Sequence, residues 1–272
     1  MNLDHVLVDR DVDFVTITMN RPQRRNALSL AHLRDLINAF TAAGDSDAAG
    51  IILAGAGPVF SAGHDFADVA EADEDAVRAL LDTCLHLMEL IESVPQPVIA
   101  RVHGLATAAG CQLVATCDLA VAADSAGFAA PGGKGGWFCH TPMVAIARNI
   151  GRKRAAELAY TGDTITAAQA LEWGLVNRVV PAADLDAAVA DLLGRATRGS
   201  RASKALGKRT LYQQLSLPEA EAYQLATQVM AESSQSAAAR EDVRVPEQAP
   251  AQVERLTPGG PARLRCPCGE AR

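Results

Sequence analysis

Two loops of very small residues could do chemistry through their backbone. The first, FSAGHD (60–65), follows an apolar segment that ends near Ala54, and the second, GLATAAGCQL (104–113), follows one that ends near Val102. Ligands of α/β proteins bind at the carboxyl ends of buried strands, where such loops expose backbone N–H groups. Two N–H donors that point into one space form an oxyanion hole. Tight packing of strands on helices also needs glycine and alanine, so the loops alone favour neither interpretation.

The segments around these loops alternate between strand and helix patterns. HVLVDR and VDFVTITMN predict a β-hairpin, and Ser29 fits the N-cap of a helix that Gly44 ends. GIILAGA, VIARV and LAVAA predict buried strands, and DEDAVRALLDTCLHLMELIESV predicts a long amphipathic helix between the first two. Strands that alternate with helices predict an α/β fold with a parallel core and helices packed outside it.

Composition limits the classes of function. The chain has 272 residues, 49% hydrophobic residues and a net charge of −7, a balance typical of a globular protein with a sizeable core. The acidic charge argues against nucleic-acid binding, and no apolar run approaches the roughly 20 residues of a membrane span. The six cysteines lack a second Cys or His pair at ligand spacing, which argues against a metal site. The first residues show no signal-peptide pattern, so we expect a cytoplasmic protein.

Five segments resemble the crotonase superfamily, the enoyl-CoA hydratases and isomerases. They are NRPQRRNALS, GAGPVFSAGHDF, PQPVIARVHGLATAAGCQLVATCDLAVAA, AGFAAPGGKGGWF and TGDTITAAQALEWGLVNRVVP, within residues 3–240. The GHD and GCQL forms are similar to a divergent subgroup, the enoyl-CoA hydratase domain-containing proteins. The resemblance implies a crotonase-like spiral of ββα units at 1–195, a C-terminal helical trimerisation region at 196–244, and a homotrimer or hexamer. Residues 245–272 hold five of the 13 prolines and no aromatic residue, which is typical of a disordered tail.

The resemblance also implies a ligand and the residues that bind it. Family members act on acyl-CoA thioesters, as in fatty acid metabolism, and need no further cofactor and no metal. Two backbone N–H groups hold the thioester oxygen as the enolate forms, and they correspond to those of His64 and Ala109. Further binding residues implied in this way are Ala62, Asp65, Gly110, Pro131, Arg24 and Arg25. For the two arginines, a contact with CoA phosphate and an ordinary solvated position are equal alternatives.

Two positions depart from the family pattern. Family hydratases handle water and the α-proton with two glutamates, and Gln112 and Gly132 stand at those positions. An amide does not exchange a proton near neutral pH and glycine has no side chain, so the usual hydration route should be nearly abolished. His140 is a candidate replacement because a histidine titrates near neutrality. A position that faces solvent or a subunit interface is the alternative for His140.

Three functions are compatible with this sequence. The first is a nominal hydratase (a lyase) or isomerase with non-standard acid–base residues, which the intact loops favour. The second is a catalytically silent acyl-CoA-binding protein, which the absent carboxylates favour. The third is a different reaction of the same enolate, such as thioester hydrolysis or decarboxylation.

Overall fold

The computed structural model describes residues 3–236 and 239–240. The chain divides into two compact units, Met1–Ala231 and Glu232–Arg272. In the second unit the described residues are the end of a helix, a turn and residues 239–240. The predicted disordered tail at 245–272 lies outside the described residues.

Ten strands and nine α-helices are present in the described part of the chain, numbered here in chain order. The strands are β1 (Val6–Arg10), β2 (Phe14–Met19), β3 (Gly50–Gly55), β4 (Val59–Ser61), β5 (Val98–Val102), β6 (Leu105–Thr107), β7 (Leu119–Ala123), β8 (Gly127–Ala129), β9 (Ile165–Thr166) and β10 (Arg178–Val180). The helices are α1 (Leu30–Gly44), α2 (Glu74–Ser93), α3 (Ala109–Thr116), α4 (His140–Ile150), α5 (Arg152–Thr161), α6 (Ala167–Trp173), α7 (Leu185–Ala196), α8 (Arg201–Gln214) and α9 (Glu219–Ser233). None of these helices is long and apolar enough to cross a membrane.

Two sheets organise the first unit. The larger has the strand order β1-β2-β3-β5-β7-β10, in which β1 and β2 are antiparallel and all other neighbours are parallel. The smaller has the order β4-β6-β8-β9. Three successive ββα units, β3-β4-α2, β5-β6-α3 and β7-β8-α4, each give one strand to each sheet. This repetition is the crotonase-like spiral, so the predicted α/β class is confirmed.

The larger sheet is covered by helices on both faces. On one face α7 packs on β5 and β7 in a small apolar cluster: Ile99, Val121, Ala123, Leu185, Val189 and Leu193. The main core contains the inner faces of α1, α2 and α3, and its largest fully buried side chains include Phe40, Phe60 and Phe128. Burial of both sheet faces explains why the central strands read as continuous apolar runs.

Local signals in the sequence account for most of the longer elements. The Ser29 hydroxyl accepts the His32 N–H at 3.3 Å, as the predicted N-cap of α1, and Gly44 is the last residue of that helix. The predicted hairpin is β1 and β2. The sequence patterns do not predict the smaller sheet, because its strands have only two or three residues and carry no periodicity. The boundary at residue 195 and a trimerisation role for 196–244, which contains α8 and α9, stay predictions.

Candidate active site

The two small-residue loops meet where β4 ends and α3 begins. Gly63 has a φ of +83°, and a Cβ built on it would lie 2.9 Å from the Thr107 carbonyl oxygen and 3.1 Å from the Ala109 nitrogen. A Cβ on Gly110 would lie 2.4 Å from the Ser61 carbonyl oxygen. Contacts this short leave no room for a side chain, and a positive φ favours glycine. The loops are therefore in direct contact, and glycine is what permits it.

The N–H groups of His64 and Ala109 have no acceptor among the hydrogen bonds of the described residues. His64 pairs with Leu28 in a parallel bridge, in which the Leu28 N–H donates to Gly63 O at 2.8 Å and the Asp65 N–H donates to Leu28 O at 3.1 Å. That pattern turns the His64 N–H away from Leu28. Ala109 is the first residue of α3, where an N–H has no acceptor within the helix. Two unpaired backbone donors thus lie on touching loops.

A cavity of about 760 Å³ lies between α2, α3, α4 and α8. Apolar side chains from α2 and α4, including Leu81, Met88 and Val144, form much of its wall. Gln112, one helical turn beyond Ala109, also lines it. The Gln112 side chain is 6% exposed, and its Oε1 has no hydrogen-bond partner in the described structure. A buried, neutral amide therefore stands where the family resemblance implies an acid–base carboxylate.

Gly132 lies in a segment whose backbone closes over it. A Cβ there would be 2.1 Å from the Trp137 carbonyl oxygen and 2.9 Å from the Cys139 Sγ. The Trp137 N–H donates to Gly132 O at 3.1 Å, and this hydrogen bond holds the two ends of the turn together. Any side chain at this position would have to displace backbone. The path of the backbone therefore excludes a carboxylate side chain at position 132.

The His64 side chain is a neutral, desolvated imidazole. Burial lowers its pKa from 6.5 to about 4, and its Nε2 has no hydrogen-bond partner in the described residues. The ring lies 6.2 Å from that of Trp137, and Trp137 lies 6.2 Å from the exposed Phe66 (centroid distances). At neutral pH this imidazole is uncharged. The backbone N–H of His64, and not a charge on its side chain, is therefore the group that could stabilise an anion.

Asp65 holds the first loop to the basic segment before α1. Its carboxylate pairs with Arg24 at 3.0 Å and with Arg21 at 3.3 Å, and it accepts the Ala67 N–H at 3.2 Å. Burial by itself raises the pKa of Asp65. The hydrogen bonds and the two arginine charges lower this pKa by more, so it lies below the ordinary value. The contacts give Asp65 a structural role and leave the Arg24 side chain 53% exposed at the surface.

Three other implied binding residues lie nearby with backbone roles. The Ala62 N–H donates to Arg25 O at 3.0 Å. Arg25 is exposed and left-handed, with a φ of 52°, and the third residue, Pro131, starts the 3₁₀ helix Pro131–Gly135. Contacts of these residues, or of Arg24, with CoA stay predictions.

His140 is the first residue of α4. Its ring is exposed and lies 5.0 Å from that of Phe138 (centroid distance). The adjacent Cys139 is buried, its Sγ accepts the Gly132 N–H at 3.3 Å, and burial raises the pKa of the thiol. The two side chains occupy different surroundings and do not form a thiol–imidazole pair. Acid–base catalysis by His140 stays a prediction.

A polar junction joins α8 to the residue just after α3, and the sequence patterns do not predict it. The Asp118 carboxylate forms an ion pair with the Lys208 ammonium at 2.7 Å. It also accepts hydrogen bonds from the Tyr212 hydroxyl at 2.8 Å and the Val98 N–H at 2.7 Å. Burial lowers the pKa of Lys208, although the Asp118 carboxylate opposes that shift. Tyr212 lies 94 residues from Asp118 in the sequence, and no local pattern signals so distant a pairing. The junction fixes one wall of the cavity.

The spiral of ββα units and the paired loops define a protein of the crotonase type. The sequence model of the enoyl-CoA hydratase/isomerase family matches residues 11–256, and the chain belongs to that family. The structure is similar to that of an enoyl-CoA hydratase from Mycobacterium smegmatis, with 43% identity and a TM-score of 0.85 over 88% of this chain and 94% of that chain.

Relatives support the subgroup as well. The chain is 45% identical over 219 residues to the Mus musculus enoyl-CoA hydratase domain-containing protein 3, mitochondrial, covering 80% of this chain and 73% of that protein. The crystal structure of the human enoyl-CoA hydratase domain-containing protein 3 matches with 41% identity and a TM-score of 0.85, over 88% of this chain and 95% of that chain. The predicted superfamily and subgroup are therefore confirmed.

The expected cytoplasmic location is contradicted by these relatives. The proteins from Mus musculus, Rattus norvegicus, Xenopus laevis and Homo sapiens all carry the word mitochondrial in their names. These names point to the mitochondrion rather than the cytoplasm. The absence of a secretory signal-peptide pattern does not separate the two compartments, because mitochondrial targeting uses amphipathic, Arg-rich segments of a different kind.

Proposed function

We propose that the chain binds acyl-CoA thioesters and stabilises the thioester enolate with the N–H groups of His64 and Ala109. The observation that carries this proposal is that two backbone donors, for which the described residues offer no acceptor, lie on loops in direct contact at Gly63. Backbone donors held in advance of the reaction need no reorganisation as charge develops on the thioester oxygen. One such donor typically contributes about 2.7–4 kcal/mol to the transition state.

The position of Ala109 strengthens its N–H as an anion donor. It is the first residue of α3, and every residue of that helix is buried. The positive end of a helix dipole attracts negative charge, and the attraction is less screened away from water. Both donors therefore suit an enolate oxygen better than the neutral carbonyl from which it forms, which is the requirement for catalysis.

Proton transfer is the part of the family chemistry that these residues do not supply. Gln112 is a neutral amide, and the backbone around Gly132 excludes a side chain. General acid–base catalysis is typically worth about 10²–10⁴-fold per group, so hydration by the two-glutamate route should be very slow. Binding of acyl-CoA without turnover is the second candidate function, and these same two positions favour it.

We also infer that the chain assembles as a trimer, the state that the family resemblance implies. α8 and α9 contain no fully buried residue. Leu215, just after α8, is 71% exposed, and Tyr223 on α9 is 67% exposed. Exposed apolar side chains on two successive helices are typical of a surface that another subunit covers. Light scattering at micromolar concentration should return three times the chain mass of 28.5 kDa, and a monomer would contradict the inference.

Two matched glycine variants test the proposed donors. Gly63→Ala forces a Cβ between the loops, whereas Gly199→Ala changes a glycine of nearly the same φ (+86° against +83°) with no atom within 4 Å of the new Cβ. The ligands are acetyl-CoA and S-ethyl-CoA, which has a methylene in place of the carbonyl. We expect calorimetry to show that the wild type and Gly199→Ala bind the thioester more tightly than the thioether.

In Gly63→Ala the preference for the thioester should disappear, while binding of S-ethyl-CoA persists because the rest of CoA is unaffected. Circular dichroism checks that all three proteins are folded. Equal binding of thioester and thioether by the wild type would contradict the oxyanion role, and no binding of either ligand at millimolar concentration would contradict acyl-CoA binding itself.

A further inference from the structure

Two buried polar side chains face the 760 Å³ cavity with no hydrogen-bond partner in the described part of the chain. Gln112 is 6% exposed and Thr116 is 2% exposed, and neither Gln112 Oε1 nor Thr116 Oγ1 has a hydrogen-bond partner in the described structure. Both line the cavity. They lie four residues apart on α3, so the 3.6-residue period places them on one face of the helix, about 6 Å apart along its axis.

Unpartnered polar groups in such surroundings need an explanation. A buried polar atom that gives up water without gaining a partner destabilises the fold, and nearly all such atoms in proteins are paired. Apolar side chains, including Leu81, Cys84 and Leu85 of α2, form most of the lining surface, to which charged residues also contribute. Two hydrogen-bonding sites one turn apart on an apolar wall therefore match a ligand that is mainly hydrocarbon and carries polar atoms at defined positions.

We propose that this cavity binds an acyl chain that carries a hydroxyl group beyond its third carbon, with Thr116 as the residue that recognises the hydroxyl. The inference rests on the proposed binding of acyl-CoA. Gln112 lies one turn from the Ala109 donor and hence near the reacting end of the chain. Thr116 lies a further turn away, so the atom that pairs with it belongs to a more distant carbon of the acyl chain.

The charges around the cavity select a hydroxyl over a carboxylate. Five acidic residues line the same cavity, against two arginines, Arg78 and Arg148, of which Arg78 is paired with Glu74; the acids are Glu74, Asp82, Glu89, Glu92 and Asp118. Asp118 is already occupied by Lys208 and Tyr212. A carboxylate at the far end of the acyl chain would meet this excess of acidic groups and lose its own hydration. A hydroxyl is uncharged, and it can both donate to and accept from the Thr116 hydroxyl.

The test compares ligands of equal length on matched variants. The ligands are hexanoyl-CoA, 4-, 5- and 6-hydroxyhexanoyl-CoA, and adipyl-CoA, which ends in a carboxylate. Thr116→Val removes the hydroxyl while keeping the shape, and Thr116→Ser keeps the hydroxyl. Thr141→Val is the control, because Thr141 lines the same cavity from an exposed position at the start of α4. Circular dichroism and melting temperature establish that each variant is folded.

We expect one hydroxyhexanoyl-CoA to bind the wild type roughly three- to tenfold more tightly than hexanoyl-CoA, the gain of one net hydrogen bond. Adipyl-CoA should bind more weakly than hexanoyl-CoA. The hydroxyl preference should persist in Thr116→Ser and Thr141→Val and vanish in Thr116→Val. If Thr116→Val fails to fold, the wild-type ligand series alone decides.

Several results would overturn the inference. Hexanoyl-CoA bound as tightly as every hydroxylated ligand would mean that ordinary water pairs with Thr116, while the proposed acyl-CoA function would stand. If Thr116→Val still preferred a hydroxylated ligand, a residue other than Thr116 would recognise the hydroxyl. Tighter binding of adipyl-CoA would exclude the charge argument. Failure of every ligand to bind would instead reject the proposed function on which the inference rests.

Discussion

The loops at Gly63 and Ala109 and the positions Gln112 and Gly132 differ in what they offer an acyl thioester. The loops offer backbone N–H donors, which depend on glycine and on the start of a helix. The other two positions offer no ionisable group, and at Gly132 the chain has no space for one. Under the proposed function, stabilising an enolate and moving its protons are separable tasks, and the described residues would serve the first.

This difference also shows why family membership does not fix the reaction. A backbone donor is present whatever side chain its residue carries, so a fold that keeps the loops keeps the donors. Acid–base catalysis depends on particular side chains and can be lost by single substitutions. Substitutions at these positions can abolish or measure the contrast between donors that remain and proton carriers that are absent.

The largest effect is expected in hydration of crotonyl-CoA. We expect wild-type turnover at least about 10²-fold below the ordinary range of roughly 1–10³ s⁻¹, because neither Gln112 nor Gly132 transfers a proton. Gln112→Glu should raise the rate, since a carboxyl group in this apolar cavity would have a raised pKa suited to acid–base work. Gln112→Leu is the uncharged control and should not raise it. Ultraviolet absorbance measures the reaction. Hydration by the wild type at ordinary rates would contradict the contrast between the loops and the positions Gln112 and Gly132.

The next effect concerns the junction that fixes α8 over the cavity. Lys208→Met leaves the Asp118 carboxylate without its buried cation, and breaking one partner of a buried ion pair typically costs about 3–5 kcal/mol. Lys204→Met, at an exposed position of the same helix, should change the free energy of unfolding by less than about 0.5 kcal/mol. Urea denaturation measures both. Equal stability of the two variants would show that the junction is not what holds α8.

A smaller effect is expected at Gly132. Gly132→Ala places a Cβ 2.1 Å from the Trp137 carbonyl oxygen, whereas Gly135→Ala, in the same 3₁₀ helix, has no atom within 4 Å of its Cβ. Overpacking of this kind typically costs about 1–3 kcal/mol. We expect thermal unfolding to show a loss of stability for Gly132→Ala alone. If both variants are equally stable, the loop can open, and a glutamate at 132 becomes a feasible route to restored hydration.

The smallest effect is the pH dependence that His64 contributes. Its pKa is lowered in the folded state from 6.5 to about 4, so the unfolded chain binds the extra proton first as the pH falls. Stability due to the neutral imidazole is therefore complete above pH 6.5 and declines toward pH 4. We expect about 1 kcal/mol to be lost between pH 6.5 and pH 5.5.

His64→Gln should remove this part of the slope, and His86→Gln, at an exposed position of α2, is the control for loss of one imidazole. Urea denaturation at several pH values gives the slopes. An unchanged slope in His64→Gln would indicate that the pKa of this imidazole in the folded protein lies near its ordinary value of 6.5, so that it could exchange a proton near neutral pH, which would weaken the contrast between the two regions.

Local patterns predicted the long elements and the loops that carry the donors. The alternation in β1 and β2, the Ser29 cap and the apolar runs of β3, β5 and β7 are each visible within about ten residues. The strands β4, β6, β8 and β9 were not predicted, because two or three residues carry no periodicity. Their pairing partners lie far away in the sequence, and the smaller sheet exists only through those partners.

The sequence by itself determined that Gln112 and Gly132 are not glutamates, that glycine occupies both loops, and that the chain has the alternation of an α/β fold. Residue identity and local periodicity are sufficient for such conclusions. Only the tertiary structure decided that Gly63 touches the start of α3, that Gly132 has no room for a side chain, and that Thr116 faces a cavity. Those properties depend on distances between segments remote in sequence, and such distances arise only when the sheets and helices pack.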